Sequence, residues 1–101
     1  MLRDLDQIAK HVSDTFEIPM LLVQHCRNTH AKADQSRARG AFCIAAHMKG
    51  YTDHDIAAYL GVTRERVNVM RSRATSLLET DAAFALKTNA VLRDLRSSHA
   101  V

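Results

Sequence analysis

Eleven residues, Thr63 to Arg73, carry the densest chemistry in the chain: Thr-Arg-Glu-Arg-Val-Asn-Val-Met-Arg-Ser-Arg. Wound into a helix, this segment exposes Thr63, Arg64, Glu65, Asn68, Val69 and Ser72, with Arg66, Arg71 and Arg73 nearby. These are the side chains that match the edges of base pairs. An arginine fork fits guanine, asparagine pairs with adenine, glutamate accepts from cytosine, and valine can touch a thymine methyl. Thr63 is placed to cap the helix and offers a hydroxyl to a phosphate, while the first amides of a helix favour an anion. A merely solvated helix would more often alternate Glu and Lys at paired spacing.

Other reactive types are present but badly assembled. Cys26 and His30, and again Cys43 and His47, stand one helical turn apart, a spacing that could bring two sulfurs and two imidazoles to one zinc. Cys43, however, sits between Phe42 and Ile44 in an apolar helix, where a small buried thiol is the ordinary expectation. His30 falls in a polar stretch. No metal site is therefore expected. His11, His25, His54 and His99 lie at otherwise polar positions, and His25 and His30 could touch phosphate when protonated. The chain offers no Ser/His/Asp arrangement, no phosphate-cradling glycine loop and no close acid pair in a pocket-forming context. Neither an enzyme nor a cofactor is expected.

Charge is modest in total and uneven in placement. The 101 residues carry a formal net charge of +3, but residues 1–20 hold Arg3 and Lys10 against Asp4, Asp6, Asp14 and Glu17. The balance then reverses. Residues 27–50 hold Arg27, Lys32, Arg37, Arg39 and Lys49 against Asp34, and residues 64–73 hold four arginines against Glu65. A segregated basic half points to a polyanionic partner. With 5% aromatic residues, the chain lacks rings for stacking single-stranded bases, so a duplex groove is the better match. No apolar run approaches the roughly 18 residues of a membrane span, and no signal-peptide pattern opens the chain. A cytoplasmic, nucleoid-associated protein with free thiols is expected.

The elements that must position these residues are helical. Apolar residues recur at helical spacing almost throughout, without sustained period-two alternation, predicting one all-α domain over residues 1–101 with about six helices. Leu2, Leu5, Ile8/Ala9, Val12 and Phe16 form a first stripe. Pro19 suits the first turn of a short helix through Met20, Leu22, Val23 and Cys26. Residues 27–33 read as a basic loop before a cap at Asp34. A third helix carries Ala38, Ala41, Phe42, Ala45 and Met48 on one face, and Gly50 is placed to end it. Thr52 and Asp55 resemble a capping box for a helix from about Asp53 to Leu60. After Gly61, Thr63 caps a helix through Val67, Met70, Ala74 and Leu77 or Leu78. Thr80 or Asp81 opens a last helix with Phe84, Thr88, Val91 and Leu95 on one stripe, its tail fraying after Arg96.

Two helices joined by a three-residue turn with glycine make a helix-turn-helix, here about residues 53–78. That geometry constrains seven positions, Ile56, Ala57, Leu60, Gly61, Val62, Val67 and Met70, and each holds a suitable type. The same stretch, Tyr51 to Val67, resembles region 4 of sigma-70-family factors, whose recognition helix opens with a run similar to Val62-Thr63-Arg64-Glu65-Arg66-Val67. That resemblance implies base-reading roles for Arg64 and Glu65. A second resemblance covers most of the chain. Ile8-Ala9 with Val12, Phe16-Glu17-Ile18, Leu22, the basic loop from Arg27, the helix with Arg37 and Ala41, and Ile56 before Leu60-Gly61 look like the C-terminal DNA-binding domain of the replication initiator DnaA. It implies a Trp-repressor-like scaffold with a different recognition sequence, and a minor-groove role for Arg27.

The expected function is sequence-specific binding of double-stranded DNA, in replication initiation or transcription regulation. Arg64, Glu65, Asn68 and Val69 would read bases. Thr63, Arg66, Arg71, Ser72 and Arg73 would support them at phosphates or bases, and Arg27, Lys32, Arg37 and Arg39 would form a flanking contact. The alternative is a phage DNA-packaging or other helical protein-interaction module without sequence-specific binding; a homodimer or protein partner fits either.

Overall fold

In a computed structural model, the described residues, 2–24 and 33–99, fold as six α-helices with no strand among them. They are α1 (Leu2–Phe16), α2 (Met20–Gln24), α3 (Ala33–Met48), α4 (Asp53–Leu60), α5 (Arg64–Thr80) and α6 (Ala82–His99). The expected all-α class and six-helix order are present. Leu5, Ile8, Ala9, Val12 and Phe16 of the first stripe are buried, as are Phe84, Thr88, Val91 and Leu95 of the last.

Helix α3 is the axis of the molecule. It packs against every one of the other five helices, and residues 38–46 are buried without interruption. One face was expected to be buried; the whole circumference is, because small residues let neighbours close in from all sides. Gly40 shows how tightly: a Cβ added there would come within 2.7 Å of the Ala74 Cβ on α5. Met48, expected on the buried face, is 55% exposed and borders an open hollow beside Leu92 and Leu95 of α6. Asp34 lies in the first turn of α3, not at its cap, where a carboxylate still complements the helix dipole. At the other end Gly50, with φ 95°, accommodates the left-handed backbone that closes the helix.

Arg39 departs from its expected role. Its side chain is drawn into the core at 3% exposure, and Nε donates to the Leu22 carbonyl at 2.9 Å. A guanidinium fits there because α2 ends with backbone acceptors that α3 can reach; the side chain ties α2 to α3 and only borders the groove between α3 and α5. A second tie crosses three helices: Tyr59 of α4 donates to Asp6 of α1 and accepts from Gln24 of α2 at 2.7 Å. The Tyr59 ring meanwhile stacks on Phe42, with centroids 5.4 Å apart. The core is thus continuous from α1 to α6.

Candidate nucleic-acid interface

The segment from Thr52 to Thr80 is built by local rules. Thr52 Oγ1 accepts from the Asp55 amide and the Asp55 carboxylate accepts from the Thr52 amide, each at 3.1 Å, completing a reciprocal cap on α4. Gly61 ends α4 in the left-handed region at φ 71°, and both Gly61 and Val62 donate to the Ala57 carbonyl. Two residues later Thr63 Oγ1 accepts from the Arg66 amide at 3.1 Å and starts α5. Three residues, Gly61 to Thr63, therefore join the two helices. Ile56, Ala57, Leu60 and Val67 are buried, and Val62 and Met70 half-buried, so all seven constrained positions meet the requirements of the turn.

The exposed surface of α5 divides by angle. With Val67 and Ala74 fixing the buried direction, about 100° per residue places Glu65, Val69, Ser72 and Ser76 on the outermost ridge. All four are exposed. Arg66 and Arg73 flank the ridge on the α3 side, where a groove of about 380 Å³ is also lined by Ser36, Arg37, Thr63, Val69, Met70 and Leu77. Arg64 and Asn68 flank it on the α4 side, lining a shallower hollow of about 390 Å³ with Thr52, Asp53 and His54. Glu65 borders both.

This arrangement brings together Thr63, Arg64, Glu65, Arg66, Asn68, Val69, Ser72 and Arg73 on one exposed surface. Arg71 is different. It turns toward α4 and pairs with Asp53, both side chains being partly covered, so its charge fastens the two helices together. Arg37 keeps 44% of its side chain exposed but pairs with Asp81 at 2.9 Å, and Asp81 also accepts from the Phe84 amide to cap α6. Such a half-exposed ion pair is worth little and can be exchanged for a phosphate. Arg27 and Lys32 lie outside the described residues, as do Cys26 and His30. Of the remaining thiol–imidazole pair, Cys43 is buried and His47 exposed.

Asp53 and His54 were not anticipated at this surface. The signal was present in their place in the first turn of α4, which the turn folds back beside the first turn of α5. No protein-family model, curated protein or solved structure matches the chain.

Proposed function

We propose that the protein binds double-stranded DNA sequence-specifically, laying α5 in the major groove. One observation carries this reading: a three-residue turn with left-handed Gly61 between two threonine-capped helices, the second presenting base-matching side chains on its outer face. In helix-turn-helix docking the N-terminal part of the second helix meets base edges. Arg64, Glu65, Asn68 and Val69 occupy that part and act as readers. Thr63, Arg66 and Arg73 hold the flanking phosphates, with Arg37 joining them when it leaves Asp81. Arg71 serves the scaffold through Asp53. The biological setting this supports is replication initiation or transcription regulation on chromosomal DNA.

Selection of bound sequences from random duplex DNA tests the proposal. A single enriched motif is the expected outcome for a monomer and an inverted repeat for a dimer; absence of enrichment overturns sequence-specific binding. Salt titration separates it from a helical protein-interaction module. Six neutralised phosphates would weaken binding roughly 10³-fold between 50 and 200 mM salt, whereas an apolar interface would scarcely respond.

A further inference from the structure

On the outer ridge of α5 two neighbours of opposite character stand side by side. Glu65 is an exposed carboxylate in the first turn, and no residue among the described ones pairs with its charge. Val69, one turn on, is 45% exposed, one of the few large apolar side chains left to solvent. At this spacing their Cβ atoms are about 5–6 Å apart. The ridge thus offers a hydrogen-bond acceptor next to an apolar contact.

Where the pair meets a single base, that base shows the complement, a donor next to a methyl group, on its major-groove edge. Thymine has the methyl, but its O4 beside the methyl is an acceptor and would be repelled by the Glu65 carboxylate. Cytosine has the N4 donor but leaves Val69 against water. Cytosine methylated at C5 presents both, N4–H₂ to Glu65 and the methyl to Val69. Accordingly, and resting on the DNA-binding function proposed above, we infer that α5 reads 5-methylcytosine in duplex DNA through Glu65 and Val69. The competing ridge residue is Ser72, whose hydroxyl could donate to a thymine O4 beside Val69. It lies a turn farther from the N-terminus of α5, away from the part that docks deepest.

The experiment is selection from two random duplex libraries, one with cytosine and one with 5-methylcytosine, followed by affinities for the winning site carrying cytosine, 5-methylcytosine, thymine or uracil at the position concerned. The expected result is binding to 5-methylcytosine about fourfold tighter than to cytosine, the equivalent of ~0.8 kcal/mol for one buried methyl, and tighter than to thymine. Val69→Ala should bring the affinities for the cytosine and 5-methylcytosine sites to the same value, whatever its effect on binding as a whole. Glu65→Gln, whose amide can donate to O4, should shift the preference toward thymine. Equal affinity for cytosine and 5-methylcytosine, a preference for thymine over both in the unsubstituted protein, or a methyl preference that survives Val69→Ala overturns the inference and leaves DNA binding standing. Failure to enrich any sequence from either library overturns the DNA-binding reading itself.

Discussion

At Arg71 and Arg64 the same side-chain chemistry has been given two different tasks by position alone. Arg71 lies on the flank of α5 that faces α4 and pairs with Asp53, whereas Arg64 is exposed beside Asn68. On the DNA-binding function proposed above, Arg64→Ala should relax the base preference at one position, costing about 1–3 kcal/mol on the best site. Arg73→Ala should weaken binding to all sequences alike and reduce the salt slope by about 1. Affinities for a set of single-base variants of the site, measured at two salt concentrations, distinguish the two responses; an unchanged preference in Arg64→Ala removes Arg64 from the readers. The sequence displayed the arginines but not this division, because the partner of each one depends on which helix the turn brings alongside. Arg39 makes the same point in the core. Its charge groups it with the basic face, yet it sits between buried Ala38 and Gly40, a position whose environment the packing of α2 defines. A quieter case is Thr88, fully buried with no hydrogen-bond partner for its hydroxyl among the described residues. Thr88→Val keeps the shape and removes an unsatisfied polar group, so chemical denaturation should show a gain of about 1 kcal/mol.

Among the elements, those with strong local punctuation were the most legible. The caps at Thr52 and Thr63 and the stop at Gly61 come from side-chain-to-backbone bonding and glycine's left-handed freedom, which act within a few residues and so are written in adjacent positions. The buried stripes of α1 and α6 follow the helical repeat for the same reason. What could not be read was the all-round burial of α3, since alanines and glycine signal a close crossing only when the partner helix is known. Gly40 is the decisive residue of that crossing. With its Cβ position 2.7 Å from the Ala74 Cβ, Gly40→Ala must push α5 away from α3 and should cost roughly 1–3 kcal/mol despite alanine's better helix propensity. The double variant with Ala74→Gly should recover part of the loss. Denaturation of the four members of this cycle is the check, and additive effects would mean that the two positions do not meet.

Over the whole molecule, the acidic and basic halves are carried by different layers on the same central helix. Exposed Asp4, Asp6, Asp14 and Glu17 belong to α1 and the residue after it, while Arg64, Arg66, Arg71 and Arg73 belong to α5, and α1 and α5 each pack on α3. On the proposed function, DNA would be attracted by one layer and repelled by the other, orienting the protein before contact. The acidic layer is also tied into the fold through the two tyrosines. Tyr51 donates to Asp4 at 3.3 Å, and its phenol is held above its ordinary value by burial first and then by Asp4. Tyr59, bonded to Asp6, is pushed up to about 12, again by burial first and then by the Asp6 hydrogen bond, with Gln24 opposing. In the unfolded chain both phenols lose their protons near pH 10. The folded state retains them longer, so the stabilisation is complete below pH 10 and is lost as the pH rises from about 10 toward 12, where the unfolded state is favoured by deprotonation. Tyrosinate absorbance in Tyr51→Phe should accordingly show a single transition well above pH 10 while the protein stays folded. Stability in the same variant should fall over that window and fall less when Tyr59→Phe is added. A Tyr59 transition at pH 10 in the folded protein would mean that the α1–α2–α4 tie does not hold in solution.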